Sequence, residues 1–562
     1  MFATSIITKI IKHISGNLYV YPGGTIAPLL HEAKKDGINI IVSKNEQGAG
    51  YMALSEAALY HRPSFVAVTS GPGITNLITI ISDAYFDSVP LIVISGQIGT
   101  TDLDRCDSIR QRGFQEVSIV DMVKPITKKI FQPRSIEEIS LAIHEAIKIS
   151  VEGRMGPVLI DLPMNIQLID IDENILKNYV HIDKLFLDKK EEDIQNNLLN
   201  EVISSLNNAK KPLVLVGAGA QEEYKLIREF LEKLKIPTIS SLRGLGVING
   251  DLFHGWIGHT GTPWANSILF EADTILVLGS RLDVRQTGSE TKCLDSKKII
   301  HIDVDEEELV NCRIKNTIKI NTSIKNFIER IDNKIEVRDI SSWIEEIQEF
   351  KKILKLNDEG KNKEGINPSI VLQTINRMIK DKNTFITTGV GSHQHWTARY
   401  IEFDNNKCKF FTSAGHGTMG YGLPTAIGLQ YLNKDDLVIC IDGDGSFQMN
   451  IQELALIKEL NLKVKILLLN NDRLSLVSQF QNITFNDDPT TGNVINPDFT
   501  AIVKAYGIEA IYMDVYNPDV IKKWINSDNA SFLHVKIKYD APISPMLLGG
   551  QKLNEMWYYE KK

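Results

Sequence analysis

The sequence predicts an α/β protein made of three doubly wound, parallel-sheet domains. Short, continuous apolar runs alternate with helical patterns in three successive blocks, as expected for parallel strands buried on both faces. Two polar, charged stretches, 188–200 and 357–367, separate the blocks and are predicted to be solvated linkers. The length of 562 residues suits three domains of about 150–190 residues each.

The first block shows the alternation most clearly. Its strands are predicted at 18–21, 38–42, 64–68, 91–95 and 158–161, and its crossover helices at 25–35, 47–61 and 74–86. The opening residues, MFATSIITKIIKHIS, have the periodicity of an amphipathic helix and lack a signal peptide's cleavage site. The alternation returns from Pro212 to Ile302 and from Thr384 to Ile537. We therefore expect domains at 1–170, 190–335 and 365–545, followed by a tail at 546–562.

Composition and charge exclude several classes of protein. Hydrophobic residues make up 43% and charged residues 23%, which is ordinary for a folded chain and unlike a largely disordered one. The net charge of −8 disfavours nucleic-acid binding by phosphate neutralisation, and no apolar run is long enough to span a membrane. The cysteines fit neither a disulfide framework nor a zinc site, so a cytoplasmic protein is expected; they are Cys106, Cys293, Cys312, Cys408 and Cys440.

A glycine-rich turn in the third block indicates a phosphate site. The residues Gly443-Asp444-Gly445-Ser446 follow an apolar strand and precede a helical pattern, where backbone N–H groups can receive an anion. One helix and one strand further on, Asn471 ends the apolar run VKILLLNN and returns to the same sheet edge. The carboxylate of Asp444 and the amide oxygen of Asn471 are the hard oxygen ligands that Mg²⁺ prefers. The structural alternative is that this Asp and Asn only cap helices.

This Gly-Asp-Gly…Asn-Asn pattern resembles the signature of thiamine-diphosphate enzymes. The resemblance implies Mg²⁺ bound by Asp444, Asn471 and the backbone carbonyl of Arg473. It also implies that the turn in GVGSHQHW contacts the diphosphate, and that a Met in TSAGHGTMGYGLPTAIG supports the coenzyme in its bent shape. The coenzyme-binding candidates in these loops are Gly391, Ser392, His393, Gly417, Met419, Gly443, Gly445 and Ser446.

Three motifs of the first block stand at successive strand ends, where ligands bind in open parallel sheets. They are YPGG with Tyr21 and Pro22, NEQGAG with Glu46, and TSGPGITN with Pro72 and Asn76. An acid at the start of a helix can simply complement the helix dipole. Thiamine diphosphate, however, needs one carboxyl group hydrogen-bonded to its aminopyrimidine ring for proton transfer, and Glu46 is the candidate.

Words from all three blocks resemble the catalytic subunits of acetolactate synthase (acetohydroxyacid synthase). They are VYPGGTIAPLL, EQGAGYMA, TSGPGITN, GFQE, GSRLDVRQTG, HIDVD, TSAGHGTMGYGLPTAIG and IDGDGSFQMNIQEL. The resemblance covers nearly the whole chain, although Asn45 replaces the His that usually precedes the glutamate. It implies an active site between the first block of one subunit and the third block of another, in a homodimer or homotetramer. Any regulatory subunit stays open.

The middle block resembles the family's FAD-binding domain, where the flavin takes no redox part in the overall reaction. The matching words contain Gly217 and Gly219 (VGAGA), Arg281 and Arg285 (GSRLDVRQTG) and Asp303 (HIDVD). Two arginines four residues apart offer cationic forks for a pyrophosphate or carboxylate, or else form a surface-charge pair. Relatives in the wider superfamily bind an adenine nucleotide here, or nothing. The Arg-x-x-x-Arg-x-Thr-Gly word favours FAD.

The resemblance also implies the reaction. Pyruvate is decarboxylated to hydroxyethyl-thiamine diphosphate, and the acetyl unit is transferred to a second carbonyl, that of pyruvate or another 2-keto acid. The residues that match family positions around the coenzyme and this donor are Gly24, Phe114, Gln115 and Lys128. The donor half of the site is therefore expected to be intact.

The acceptor half departs from the family pattern. Phe480 stands where the family typically has Trp, and His259-Thr260 replaces Met-His in the Gly-Met-His-Gly-Thr word. Arg285 and Val390 still match. A roomier and more polar pocket is expected, and changes of this size can shift substrate discrimination by about 1–3 kcal/mol.

Other functions stay open on sequence alone. The same donor step could serve a keto-sugar nucleotide acceptor, as in yersiniose-type branched-sugar synthesis, which His259 and Phe480 favour. A pyruvate decarboxylase or oxidase would pass the intermediate to a proton or to oxygen. A non-catalytic scaffold predicts the loss of Glu46, Asp444 or Asn471, and all three are present.

Overall fold

Three sheets form the frame of the protein. The computed structural model describes residues 1–106, 108–182, 185, 193–360, 363–485 and 490–559. Each sheet has six strands, and every strand pair is parallel. The predicted α/β class with three parallel-sheet domains is confirmed.

The strands fall into three consecutive sets of six. The first sheet contains β1 (Asn17–Tyr21), β2 (Asn39–Val42), β3 (Ser64–Val68), β4 (Leu91–Gln97), β5 (Lys129–Phe131) and β6 (Val158–Pro163). The middle sheet contains β7 (Pro212–Val216), β8 (Thr238–Ser240), β9 (Phe253–Trp256), β10 (Thr274–Leu278), β11 (Lys298–Asp303) and β12 (Thr317–Asn321). The third sheet contains β13 (Thr384–Thr388), β14 (Cys408–Thr412), β15 (Leu437–Gly443), β16 (Lys465–Asn470), β17 (Glu509–Met513) and β18 (Ser531–Lys536).

The strand orders show where ligands can bind. The first sheet has the order β2-β1-β3-β4-β6-β5, and the third repeats it as β14-β13-β15-β16-β18-β17. The middle sheet reads β9-β8-β7-β10-β11-β12, the order of dinucleotide-binding folds. The order reverses between β1 and β3, between β13 and β15, and between β7 and β10. Ligands bind outside the carboxyl ends of strands at such switch points.

Helices cover both faces of the sheets. Those of the first block are α1 (Ser5–Ile14), α2 (Ala27–Lys35), α3 (Glu46–Tyr60), α4 (Pro72–Thr75), α5 (Ile78–Phe86), α6 (Thr100–Leu103), α7 (Ile119–Val123), α8 (Ile136–Val151), α9 (Met164–Gln167) and α10 (Glu173–Tyr179). The middle block has α11 (Asn196–Asn208), α12 (Tyr224–Leu234), α13 (Pro263–Glu271), α14 (Val284–Thr287), α15 (Lys292–Asp295), α16 (Glu306–Val310), α17 (Ile324–Ile331) and α18 (Ser341–Ile353). The third block has α19 (Pro368–Ile379), α20 (Ser392–Tyr400), α21 (Gly422–Leu432), α22 (Asp444–Gln448), α23 (Leu454–Glu459), α24 (Ser475–Phe485), α25 (Phe499–Ala505) and α26 (Pro518–Ile525).

The predicted N-terminal amphipathic helix is α1. Its apolar side chains are buried in the core of the first domain, whereas Lys12 and His13 are exposed; the buried isoleucines are Ile6, Ile7, Ile10, Ile11 and Ile14. This is the apolar stripe that the 3.6-residue period predicts. Within the described ranges, no helix combines the length and hydropathy needed to cross a membrane.

Helices α3 and α21 join the first domain to the third. A Cβ atom on Gly428 of α21 would lie 2.3 Å from Ser55 Oγ and 2.9 Å from Met52 Cα, so the helices cross at a distance that only glycine permits. One apolar core runs across this contact from the first sheet to the third. The crossing therefore holds the N-terminus of α3, which begins with Glu46, against the third domain.

Both predicted linkers need correction. Residues 196–200 of the first are not linker, because they form the start of α11, whereas 188–192 lie outside the described residues. In the second, Asp358 is 2% exposed and forms an ion pair with Arg399. The polar composition of this stretch predicted exposure to solvent. Asp358 is buried instead, because Arg399 of α20 pairs with its carboxylate.

Candidate active site

The switch point of the first sheet brings the YPGG and TSGPGITN loops together. Thr25 Oγ1 lies 2.8 Å from Thr69 Oγ1 and accepts a hydrogen bond from the Ser70 N–H at 2.9 Å. These contacts tie the 3₁₀ helix Gly24–Ile26 to the loop before α4. Tyr21, Pro22 and Pro72 are exposed at this edge. The carboxyl edge thus presents an open surface beside Gly24.

Glu46 is the first residue of α3. The side chain of Asn45 caps the helix by accepting the Gln47 N–H at 2.9 Å, which fixes the turn that carries Glu46. The Glu46 side chain is 7% exposed, and its Oε2 accepts a hydrogen bond from Asn76 Nδ2 at 2.9 Å. The structure therefore brings Glu46 and Asn76 together. A carboxyl group held in this way is suited to proton exchange with a ring nitrogen.

Gln115 and Phe114 lie on the loop that covers Gly71. A Cβ atom on Gly71 would be 2.7 Å from the Gln115 carbonyl oxygen, and Gln115 itself has a positive φ of 59°. This contact brings the GFQE word beside the TSGPGITN loop. The Phe114 side chain is 85% exposed. A large apolar ring exposed beside a candidate site is typical of a surface that binds a ligand or another protein chain.

Lys128 does not join this group. It precedes β5, and its N–H donates to the Pro157 carbonyl just before β6, so it lies at the amino ends of the strands. Its ammonium group donates to the Glu152 carbonyl. Within one chain, Lys128 therefore lies apart from Glu46 and Gln115, and its role around the coenzyme and keto acid stays a prediction.

The switch point of the third sheet forms a glycine cradle. A Cβ atom on Gly389 would collide with Ser446 Oγ, and one on Gly443 would lie 2.7 Å from His393 Nδ1. Ser446 Oγ accepts the Gly420 N–H at 2.9 Å, which joins the third loop to the other two. The Met419 methyl group lies 3.4 Å from the Cβ position of Gly445. The predicted coenzyme-binding residues of this block therefore lie together.

Ser392 and His393 are the polar side chains at the start of α20 in this group. Among the residues that the structure describes, the buried Ser392 hydroxyl has no hydrogen-bond partner, and Gly391 beside it has a φ of 152°. His393 Nε2 lies 3.1 Å from Asp442 Oδ1, and both side chains are buried. An orphaned buried hydroxyl requires a partner, and an anion seated in the cradle would supply one.

Asp444 and Asn471 directly follow the neighbouring strands β15 and β16. Asp444 is 2% exposed, and burial raises the pKa of its carboxyl group. Asp444 Oδ2 accepts a hydrogen bond from Asn496 Nδ2 at 2.6 Å. Asn471 exchanges hydrogen bonds with Ser475, whose hydroxyl also lies 3.4 Å from the Arg473 carbonyl oxygen. The predicted metal ligands thus follow two adjacent strands at the same carboxyl edge of the third sheet.

A cavity of about 320 Å³ lies where the three domains meet. It opens at the switch point of the middle sheet, where a Cβ atom on Gly217 would lie 2.0 Å from the Gly279 carbonyl oxygen. Gly219 lines the cavity with residues of the first domain and the third. Backbone contact between β7 and β10 thus requires glycine at 217, apart from any ligand. The size and position match those of a cofactor site.

Charged side chains surround this cavity. Arg281 Nη2 lies 2.7 Å from Asp283 Oδ2, and Arg154 of the first domain pairs with Asp305 and Glu308 at 3.0 and 2.6 Å. Arg281, Arg285 and Arg154 all line the cavity. Burial raises the pKa of Asp303 to about 6. Cations of this number suit a ligand with a pyrophosphate.

Three of the four predicted acceptor-pocket residues meet in the cavity. His259, Arg285 and Val390 line it, and the His259 N–H donates to the Arg285 carbonyl oxygen at 2.8 Å. Burial lowers the pKa of His259 to about 4, so its imidazole is neutral. Phe480 lies on α24, 58% exposed, and does not line this cavity.

Several residues at these sites were missed from the sequence. His395 lines the cavity, stacks at 6.2 Å on Trp256 and lies 2.9 Å from Thr260 Oγ1. Arg154 also lines the cavity, Asn496 donates to Asp444, and Glu453 accepts the Lys44 N–H just before the turn that carries Glu46. Only the word QEL, which contains Glu453, could have drawn attention to one of them.

Family profiles match all three domains. The description "thiamine pyrophosphate enzyme, N-terminal TPP binding domain" matches residues 3–122, and the central domain of the same enzymes matches 199–331. The C-terminal TPP binding domain matches 389–535. These matches contain Glu46, Gly217 and Asp444, respectively.

Acetolactate synthase subunits are similar to this chain over nearly its whole length. The chain is 35% identical over 550 residues to the acetolactate synthase large subunit of Lactococcus lactis, covering 96% of this chain and 93% of the relative. It is 31% identical over 546 residues to the isozyme 2 large subunit of Escherichia coli, covering 96% of both chains. It is 32% identical over 572 residues to the mitochondrial catalytic subunit of Saccharomyces cerevisiae, covering 96% and 81%. The chain thus belongs to the acetolactate synthase family of thiamine-diphosphate-dependent enzymes, and it is a transferase of acetaldehyde units.

Proposed function

We propose that the chain is a 2-keto acid carboligase of acetolactate synthase type that uses pyruvate as donor. The observation that carries this proposal is Glu46, a nearly buried carboxyl at a helix N-terminus, positioned by Asn76. Thiamine diphosphate supplies the nucleophilic carbon and the electron sink for decarboxylation. Glu46 binds the aminopyrimidine ring and holds the proton that this ring exchanges.

Residues of the third domain fit the diphosphate and Mg²⁺. Asp444, Asn471 and the Arg473 carbonyl supply one carboxylate, one amide oxygen and one backbone oxygen, a set that leaves Mg²⁺ open to phosphate and water. Within the described ranges, no group of three His, Cys, Asp or Glu side chains offers a competing metal site. The orphaned Ser392 hydroxyl, with Gly391, His393, Gly443, Gly445 and Ser446, faces the diphosphate.

The remaining donor residues orient the reactants. Met419, beside Gly445, supports the bent coenzyme. Gly24 and Gln115 leave room for the keto acid at the open edge of the first sheet, and Phe114 covers it. Tyr21, Pro22, Pro72, Asn76 and Gly417 complete the contacts to the coenzyme. Lys128 is also proposed to lie around the coenzyme and keto acid in the assembled protein, although within one chain it lies at the other edge of the first sheet.

The site lies between subunits of a homodimer or homotetramer. Large apolar side chains are exposed around both halves, including Phe114 at 85%, Phe480 at 58% and Ile495 at 100%. Exposed apolar groups around a site mark a surface that a partner covers. We propose that the third domain of a second copy covers Phe114, and that Phe480 then reaches the acceptor.

FAD fits the cavity between the domains. Arg281 and Arg285 hold its pyrophosphate, Gly217 and Gly219 allow its approach at the switch point, and Asp303 accepts hydrogen bonds at the end of β11. The flavin acts structurally and takes no redox part. The domains extend over 1–170, 190–335 and 365–545, with the tail at 546–562.

A second candidate acceptor has support from the cavity wall. His259 Nδ1 and His395 Nε2 are buried and have no hydrogen-bond partner in the part of the chain that the structure describes, and both residues line the cavity. Two unpaired imidazole nitrogens suit an acceptor with hydroxyl groups, such as a keto-sugar nucleotide, better than a purely apolar one.

The decisive experiment is product identification. The purified protein is incubated with pyruvate, thiamine diphosphate and Mg²⁺, with and without 2-ketobutyrate or a keto-sugar nucleotide, and products are identified by mass spectrometry. 2-Acetolactate or its homologue supports the first proposal, and a branched sugar supports the second. Acetaldehyde or acetate alone would instead identify a decarboxylase or an oxidase.

A further inference from the structure

Glu453 is a fully buried acid that contacts the first domain from the third. It ends the 3₁₀ helix Ile451–Glu453 and is 0% exposed. Its Oε1 and Oε2 atoms accept the Lys44 N–H at 3.1 and 3.2 Å, across 409 residues of sequence. A buried carboxyl in this position is costly unless its contacts are specific.

The carboxyl group of Glu453 lies at the N-terminus of α3. A Cβ atom on Gly48 would be 2.3 Å from Glu453 Oε1, so the carboxyl group sits directly against the first turn. That turn contains Glu46, and Asn45 before it caps the helix. The unpaired N–H groups and the dipole of a helix N-terminus favour an acceptor there. Glu453 therefore holds, from another domain, the residue that directly precedes the N-cap of α3.

We infer that Glu453 is a positioning residue for Glu46. The inference rests on the proposed role of Glu46 toward the coenzyme. By holding the backbone at Lys44, Glu453 fixes the angle at which α3 begins and hence where the Glu46 carboxyl points. In the proposed dimer, the third domain that binds one coenzyme thereby positions the acid that serves the other coenzyme.

The surroundings of Glu453 agree with this role. Burial raises its pKa to about 7, and the hydrogen bonds from the backbone oppose that rise. The nearby ammonium of Lys44 turns instead to Glu459, 2.6 Å away on α23. Glu453 thus accepts a hydrogen bond from the backbone of Lys44, whereas Glu459 contacts only the side chain of Lys44.

This difference supplies a matched control. Glu453→Ala removes the backbone contact, Glu453→Gln keeps one acceptor oxygen, and Glu459→Gln removes a carboxylate that contacts the Lys44 side chain alone. The first readout uses coenzyme-free protein: amide hydrogen exchange at residues 43–48, followed by mass spectrometry. We expect exchange to rise by at least roughly tenfold in Glu453→Ala, less in Glu453→Gln, and not at all in Glu459→Gln.

The second readout is proton exchange at C2 of bound thiamine diphosphate in D₂O. We expect a fall of at least roughly tenfold in Glu453→Ala, partial recovery in Glu453→Gln, lower kcat and a KM for pyruvate within about twofold. Unchanged C2 exchange in Glu453→Ala at normal thermal stability would overturn the inference. If Glu453→Ala does not fold, Glu453→Gln decides by the same two measurements, and no fall in either would overturn it. If Glu46→Gln itself leaves C2 exchange unchanged, the proposed function fails instead.

Discussion

Arg399 and Asp358 form an ion pair in which both side chains are 0% exposed, with Arg399 Nη1 2.6 Å from Asp358 Oδ1. The same guanidinium donates to the Thr260 carbonyl at 2.9 Å and to the Pro545 carbonyl at 2.6 Å. One side chain of α20 therefore joins the third domain to the middle domain's cavity loop and to the C-terminal segment. These N–H groups of Arg399 therefore all donate to oxygen atoms inside the protein.

Removing one partner of this pair should destabilise the protein strongly. Asp358→Leu leaves the guanidinium buried without its counter-charge, and such losses cost about 3–5 kcal/mol. Chemical denaturation followed by tryptophan fluorescence measures the loss. Glu232→Gln, in the exposed pair with Lys235, is the control and should change stability by less than about 0.5 kcal/mol. Equal effects of the two variants would contradict this account of the buried pair.

Glu46→Gln should abolish carboligation while the fold and coenzyme binding stay near normal. Glutamine can still accept the Asn76 hydrogen bond, but it cannot exchange a proton, and positioned acid–base groups contribute roughly 10²–10⁴-fold in rate. Acetolactate formation, coenzyme affinity and thermal stability are compared in one preparation. Glu173→Gln, an exposed acid at the same position of α10, tests a mere helix-dipole effect. Undiminished turnover in Glu46→Gln would remove Glu46 from the mechanism.

Asn496→Ala should weaken Mg²⁺ binding by about tenfold to a hundredfold. Its amide donates to Asp444 Oδ2 and to Asp472 Oδ1 at 2.6 and 2.9 Å, which orients the ligating carboxylate. Titration calorimetry of Mg²⁺ with thiamine diphosphate present measures the affinity. Asp444→Ala should weaken both Mg²⁺ and coenzyme, whereas the exposed cap variant Asn517→Ala should weaken neither. Normal Mg²⁺ affinity in both site variants would place the metal elsewhere.

Asp303 should make stability fall as pH rises from about 4 to about 6. Burial raises its folded-state pKa from 3.8 to about 6, so its favourable contribution is complete below 3.8 and is lost as pH rises through 6. Asp303→Asn removes this loss, so the variant should gain about 3 kcal/mol over the parent at pH 7 and nothing below pH 4. Flavin-free protein is unfolded in urea at each pH. The exposed Asp435→Asn should track the parent, and a parallel curve for Asp303→Asn would contradict the prediction.

Local patterns predicted most of the frame. The β-branched runs and crossover helices became strands such as Ser64–Val68, because backbone period and burial on both faces are written into short segments. The motifs around Glu46 and Asp444 were recognisable for a similar reason. They follow strands directly, and the parallel topology carries strand ends to one edge.

The tertiary structure determined the features that depend on distant segments. Lys128 lies at the amino edge of its sheet because of the strand order. Asp358 is buried because Arg399 pairs with it. Glu453 finds the Lys44 amide 409 residues away. The sequence by itself therefore determined the elements and the chemistry at their ends. Which carboxyl groups are buried, and which backbone they hold, depends on packing between domains, since burial and pairing arise only when distant segments meet.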